Sequence, residues 1–251
     1  MSLRDRVYGW LESVYWWLES VIDPGTRSSQ YYYADILNAS IGVDSRWLDV
    51  GCGHSILPDW IPNQQSLVTR AERLVGLDYD WASLKNNRQI TRLVAGDLVC
   101  LPFRNSAFNC VSANMVVEHI VDPVQSLKEL YRLLQPKGLF IFHTPNSRFY
   151  MTVLAAHIPD WIKGKLIWLL ERREEADVFP THYRMNRLRD IYQLAAQCCF
   201  RVVRCESLNT SATGTIFLGP FVILELMIRR LLRQERFKEF RSNLIVVLQK
   251  T

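Results

Sequence analysis

The stretch Trp47–Ser55, reading WLDVGCGHS, constrains this chain more than any other. Trp47, Leu48 and Val50 have the apolar pattern of a buried strand, and the run stops at Gly51-Cys52-Gly53. Two glycines two apart permit a tight turn and let a ligand lie close to the backbone. A helix opening after such a turn would offer free N–H groups to a polar or anionic group. Asp49 stands where it would repel a phosphate, so it suits a ligand carrying an ammonium or hydroxyls. The plain alternative is a strand-to-loop turn of small residues, and the segments that follow decide between the two.

Those segments come at regular intervals. Leu74–Asp78 is a second strand pattern ending in an acid, where a nucleotide fold places its ribose-binding carboxylate. Leu93–Asp97 and Cys110–Asn114 supply a third and fourth, and Leu139–His143 a fifth, after a turn at Gln135-Pro136-Lys137-Gly138. Between them, Trp81–Arg92 reads as a polar-faced helix. Asp122-Pro123 opens another, with Val124, Leu127, Leu130, Tyr131 and Leu134 on one face, Asp122 as N-cap and Pro123 in the first turn. Any helix after Ser55 is interrupted by Pro58 and Pro62. Strand–helix alternation implies a parallel sheet wrapped by helices, with ligands at the C-terminal strand ends. The pattern G-x-G-x-x-G is not completed, because Ile56 stands at its last position, and this argues against NAD.

The matching segments LDVGCGHS, VGLDYD, AGDLVCLPFRNSAFNCV, NMVVEHIVDP and LKELYRLLQPKGLFIFHTPN cover roughly residues 46 to 146. In order and spacing they resemble the class I S-adenosylmethionine (SAM)-dependent methyltransferases, close to the small-molecule and quinone O-methyltransferase type. The resemblance implies an α/β, Rossmann-like sheet of seven mostly parallel strands with helices on both faces. Arg201–Leu208 resembles the sixth strand and Asn243–Gln249 the last, which in this family inserts antiparallel between the fifth and sixth. Helical insertions would follow the fifth and sixth strands, at 147–185 and 209–241. The whole of 1–251 would be one domain, with 1–40 as a helical cap and 46–146 as the SAM-binding core. One departure is Ser55, where the family often has a third glycine.

Carried over residue by residue, the resemblance implies a cofactor site. Gly51, Cys52 and Gly53 would let SAM lie against the backbone, and Asp49 would accept from the methionine ammonium. Asp78 would take both ribose hydroxyls and Tyr79 would pack on adenine. Asp97 and the Leu98 N–H would read the adenine amino edge, and Asn114 would offer a carbonyl near the methionine moiety. On the acceptor side an O- or N-nucleophile must lose a proton, so a nearby His, Glu or Asp helps. His182, at the end of the first insertion, and His119 are the candidates for catalysis, and His143 is a third histidine to weigh. The alternative for His119 is a capping or core role. In the quinone enzymes a stretch E-x-x-E-H is linked to a divalent metal. Here Met115 replaces its first acid, so no metal is assigned.

Composition narrows the partners. The net charge is only +5 and bases are scattered among acids, so no nucleic-acid face is expected. Six cysteines, at 52, 100, 110, 198, 199 and 205, form no C-x-x-C pair, and they read as reduced thiols in a cytoplasmic protein. The N-terminus reads as an amphipathic helix and not as a secretory leader. Val7, Trp10, Leu11, Val14, Leu18 and Val21 form one face, with Tyr8, Tyr15 and Trp16 off it, and Asp23-Pro24-Gly25 stops it. Tyr31-Tyr32-Tyr33 opens a second helix.

The first insertion, Phe149–Asp177, is rich in apolar groups, and the second begins with the apolar run Ile216–Ile228. That run is too short and interrupted for a bilayer span, which needs about 20 apolar residues. Arg229, Arg230, Arg233, Arg236, Lys238 and Arg241 follow it, so 216–241 reads as a candidate for peripheral membrane contact, with a packed lid or dimer contact as the alternative. The reading that results is a SAM-dependent methyltransferase acting on a small hydrophobic acceptor through O- or N-methylation. The alternative is a non-catalytic SAM-fold protein that binds a partner or membrane through its insertions.

Overall fold

Strands that are apolar on both faces must lie between two helical layers, and the strands of this protein do. The structure, a computed structural model, describes residues 3–156, 180–210, 216, 219 and 221–251. Residues 157–179, which hold most of the first insertion, lie outside the described residues, as do 211–215 in the second. The chain forms two compact units. One comprises Gln30–Ser147, Thr181–Glu206 and Asn243–Thr251, and the other Met1–Ser29, Arg148–Pro180 and Ser207–Ser242.

The first unit is a seven-stranded sheet. Its strands are β1 (Arg46–Val50), β2 (Arg73–Asp78), β3 (Leu93–Ala95), β4 (Phe108–Asn114), β5 (Leu134–Pro145), β6 (Phe200–Leu208) and β7 (Asn243–Lys250), in the order β3-β2-β1-β4-β5-β7-β6. β1 runs parallel to β2 and β4, β2 to β3, and β4 to β5, while β7 is antiparallel to β5. The Rossmann-like, mostly parallel sheet and the antiparallel last strand are as expected. Leu48, Val50, Val111, Phe140, Phe142, Leu244 and Val246 form the centre of its core.

The helices on this sheet are α2 (Ser29–Ser40), α3 (Gln64–Arg70), α4 (Trp81–Asn86), α5 (Pro123–Leu133) and α7 (Leu188–Gln197). α5 starts as its residues dictate. Asp122 accepts from the Gln125 N–H at 3.0 Å, Pro123 occupies the first turn, and Leu127, Leu130 and Leu133 are buried.

Three expectations are corrected here. No helix opens after Gly53: the first begins at Gln64, preceded by Asn63 in the left-handed region at φ 63°. Pro58 and Pro62 remove the N–H groups a helix would need. Side-chain amides hold the loop instead. Asn87 Nδ2 donates to the Gly53 carbonyl at 2.8 Å, the Ile56 N–H donates to Gln89 Oε1 at 3.1 Å, and Gln64 Nε2 donates to the Pro58 carbonyl at 2.6 Å. The helix expected over Trp81–Arg92 ends at Asn86 for the same reason, because Asn87 turns extended and commits its side chain to that loop. The expected turn Gln135–Gly138 is a bulge within β5: Phe108 faces Leu134, and Cys110 then faces Leu139. Lys137 takes φ 65°, and a Cβ on Gly138 would meet the Gln135 carbonyl at 2.8 Å.

The second unit contains α1 (Leu3–Ile22), α6 (Tyr150–Ala156) and α8 (Phe221–Leu232). α1 packs on α8. Its packed face is Leu11, Tyr15, Leu18 and Ile22 against Ile216, Val222 and Leu226. The expected face is thereby rotated: Tyr15 is buried, whereas Trp10 and Val21 are exposed. The cause is polar. Arg229 Nη2 donates to the Tyr15 hydroxyl at 2.6 Å and to Glu19 Oε1 at 3.0 Å, so the helix turns these groups inward. The arginines of the second insertion are accordingly not a continuous cationic face. Arg229 is fully buried, Arg233 pairs with Asp23 at 2.6 Å, and Arg241 pairs with Glu235 at 2.7 Å. No described helix is long and apolar enough to cross a membrane.

Candidate functional site

The sheet order reverses between β1 and β4, and a crevice forms there at the carboxyl ends of the strands. Register brings Val50 beside Leu77 and Ala113, and Asp78 beside Ala95. The Gly51 and Cys52 N–H groups both donate to the Leu77 carbonyl, at 2.7 and 3.1 Å, which folds the chain back sharply at the end of β1. Gly51 has φ 64°, and a Cβ there would lie 2.2 Å from Val116 Cγ2, so only glycine fits. Gly53 also has positive φ, but the position of its missing Cβ is open space.

Asp78 ties this turn to the next. Its Oδ2 accepts from the Gly53 N–H and its Oδ1 from the Asp80 N–H, each at 2.9 Å. Each carboxylate oxygen keeps a further lone pair for a ligand hydroxyl. Asp80 caps α4, accepting from the Ser83 hydroxyl at 2.6 Å and from the Ser83 and Ala82 N–H groups, and these bonds, the hydroxyl's first, hold its carboxyl below the usual range. Beside Asp78 opens a cavity of about 290 Å³ with mainly apolar walls. Gly51, Asp78, Tyr79, Asp97, Leu98 and His119 all line it. The exposed Asp97 accepts from the Val99 N–H at 3.1 Å.

Five residues of the expected site, Asp49, Cys52, Gly53, Asn114 and His182, lie off this wall. Asp49 is buried, and its Oδ1 accepts a short hydrogen bond from Ser112 Oγ, itself donated to by Trp47 Nε1 at 2.6 Å. Burial pushes its carboxyl up to about 7, and the neighbouring Asp78 charge adds to this. Cys52 is buried over Gly76 with its N–H already engaged, and burial raises its thiol. The Gly53 N–H is held by Asp78. Asn114 exchanges two amide hydrogen bonds with Gln30 of α2, at 3.0 and 3.3 Å, and its Oδ1 also accepts from His143 Nδ1 at 2.9 Å.

The histidines separate cleanly. His143 is buried and pushed down to about 3 by desolvation. It is a neutral ring between Asn114 and Asn243, whose Nδ2 donates to its Nε2 at 3.1 Å, so it holds structure and takes up no second proton. His119, half-buried on the short turn Val117–His119, faces the cavity. His182 is exposed, and its backbone N–H donates to the Glu118 carbonyl at 2.7 Å. That segment is held further by Asn186, which donates to Thr144 Oγ1 at 2.6 Å, while Thr144 donates to Glu118 Oε2 at 2.9 Å. Among the described residues no group of three or more His, Cys, Asp or Glu is placed to hold a metal. Gln30 and Ser112 are the supporting residues that sequence reasoning missed, and no pattern in the sequence singles out either.

A glycine turn after the first strand and an acid after the second, at the switch point of this sheet, define a nucleoside-binding α/β fold. Residues 26–204 match the family model for a methyltransferase domain, and the chain belongs to that family. It is 32% identical over 123 residues to a protein of Mycolicibacterium smegmatis named a probable S-adenosylmethionine-dependent methyltransferase, covering 48% of this chain and 45% of that one. It is 31% identical over 103 residues to a demethylmenaquinone methyltransferase of Staphylococcus epidermidis, covering 39% and 42%. The chain spans less than half the length of these curated relatives. Its fold is similar to that of the geranyl diphosphate C-methyltransferase from Streptomyces coelicolor, with a TM-score of 0.54 and 14% identity over 89% of this chain and 80% of that one.

Proposed function

We propose that the chain is a SAM-dependent methyltransferase that acts on a small hydrophobic acceptor at oxygen or nitrogen. The observation that carries this is the pairing of Asp78 with the turn Gly51–Gly53 at the mouth of an apolar cavity, in a chain of the methyltransferase family. When bound, SAM would supply an electrophilic methyl group. Asp78 then offers one free lone pair on each oxygen to the two ribose hydroxyls, at geometry already fixed by two backbone donors. Tyr79 and Leu98 give the adenine a flat apolar berth, with Asp97 in reach of its amino edge. The open space at Gly53 leaves room for the ligand against the backbone. Asp49 faces no protein cation among the described residues, which suits it to an incoming ammonium.

Methyl transfer is an in-line displacement and depends on alignment. In this reading His119, on the cavity wall, would take the acceptor's proton, and His182, whose N–H is held by the Glu118 carbonyl, would orient the acceptor. The hydrophobic character of the acceptor is supported by the demethylmenaquinone and geranyl diphosphate named for the similar proteins. Calorimetry tests the reading: micromolar binding of SAM and its demethylated product is expected, and none of NAD. No heat with either sulfur ligand overturns it.

A further inference from the structure

Helix α8 is built inside out. Its inward positions carry Glu225 and Arg229, the latter 0% exposed, together with Val222, Leu226 and Leu232. Its outward positions are Phe221, Ile223, Leu224, Met227 and Leu231, with Arg230 as the one charged side chain among them. Phe221 is 67% and Met227 57% exposed. A helix in water carries the opposite arrangement. α1, packed on α8, presents Trp10, at 64% exposure, and Trp16 and Trp17 beside it in the same state. Apolar groups on this scale mark a surface that meets a partner.

The charge of Arg230 says which partner. Arg229 is neutralised by Glu19 and Glu225, and Arg233 by Asp23. Arg230 donates to the neutral Ile22 carbonyl at 2.9 Å, and it lines a cavity of about 640 Å³ with Ile22, Pro24, Met227 and Leu231, together with Gln234 and the paired Asp23 and Arg233. A guanidinium set among alkyl groups complements a molecule with an anion joined directly to hydrocarbon. Exposed indoles are the side chains that settle at the level of lipid headgroups. We propose that this helical unit docks on a bilayer containing anionic phospholipid. Phe221, Leu224, Met227 and Leu231 enter the acyl boundary, and Arg230 takes a headgroup phosphate. Docking here draws its strength from apolar burial, and the arginine adds lipid preference. It requires nothing of the cofactor site, so SAM affinity is an independent control.

The test is flotation of the full chain with phosphatidylcholine vesicles, with and without phosphatidylglycerol, at low and high salt. The wild type should float with both kinds and prefer the anionic one at low salt. Leu224→Ser combined with Met227→Ser should release it from both. Arg230→Gln should lose about fivefold of affinity on anionic vesicles only. That variant touches only a helix-end carbonyl, and it decides the matter should the double variant melt early. A wild type that stays at the bottom of the gradient with both vesicles overturns the proposal, as does an Arg230→Gln chain that keeps its anionic preference. Sedimentation velocity that shows a dimer dissolved by the double variant assigns the surface to a second copy, and overturns it equally.

Discussion

Asp49 at the end of β1 and Glu225 in α8 are both carboxylates withdrawn from water, and the protein treats them oppositely. Around Glu225 the counter-charge is built in. Arg229 Nε approaches Glu225 Oε1 at 2.9 Å, as a charge contact more than an aligned hydrogen bond, and Tyr150 donates to the same oxygen at 3.0 Å. Around Asp49 there are neutral donors only, Ser112 backed by Trp47, and the charge it feels, that of Asp78, is of its own sign. Burial raises both carboxyls. A folding core balances its charges internally, whereas a site kept for a cationic ligand leaves the balance open. The methionine ammonium proposed for Asp49 would complete there what Arg229 already completes in α8.

Experiments that remove one side of each balance break or sharpen this contrast. The largest effect is expected from Arg229→Met, which leaves Glu19 and Glu225 buried without their cation. Urea unfolding should show a loss of about 3–5 kcal/mol, the cost of orphaning a buried charge. An unchanged midpoint would mean that the helical unit does not depend on its internal cation.

Asp49→Asn should act in the opposite direction. Between the ordinary value of 3.8 and about 7, folded Asp49 holds a proton that the unfolded chain has released. Stability of the ligand-free wild type should therefore fall as pH rises across that window and level off above it, by about 2–4 kcal/mol. The Asn variant should lack this slope and be the more stable protein above the window, yet bind SAM more weakly. Binding of SAM to the wild type should release a proton below pH 7, where Asp49 is still protonated, and this is read from calorimetry in buffers of different ionisation heat. A flat stability profile for the wild type would show that Asp49 has a cation after all.

Asp78→Ala comes next. It removes the ribose acceptor and should weaken SAM by roughly 1–3 kcal/mol. Unchanged affinity would place the ribose elsewhere. The remaining effects fall on turnover and separate the histidines. His119→Ala should slow turnover about a hundredfold, as the loss of a proton acceptor does. His182→Ala should lower turnover less. His182→Ala should leave SAM affinity nearly intact, and a collapse of affinity would move it into the cofactor pocket; His119 shares the cavity wall with the adenine residues, so its effect is read as turnover at saturating SAM.

Strands and strand ends were legible because they are local. The apolar runs at Trp47, Leu74, Cys110 and Leu139 end in a glycine, an acid, an amide and a histidine, and the structure places these ends along one edge of the sheet. What was not legible depends on partners far away in the chain. The inward face of α1 is set by bonds from Arg229 to Tyr15 and Glu19, more than two hundred residues distant. The run of arginines after Ile228 looks cationic because a sequence displays charges and hides their counter-charges. The missing helix after Gly53 follows from amides at Asn87, Gln89 and Gln64, side chains that in sequence read as ordinary loop. Ser112 was hidden because a serine inside a strand has no pattern of its own, yet it fixes Asp49.

The amide-held loop between Gly53 and Gln64 has a kinetic consequence. Few of its bonds run from backbone to backbone, so it can open by releasing a handful of side chains while β1 beneath it stays closed. Its amide hydrogens should then exchange with solvent through a local opening, and those of Leu48 and Val50 only through global unfolding. A ligand seated against Gly53 would slow the first set and leave the second almost unchanged. Occupancy of the crevice would thus be recorded in the timing of proton exchange along a dozen residues, with no assay of chemistry at all.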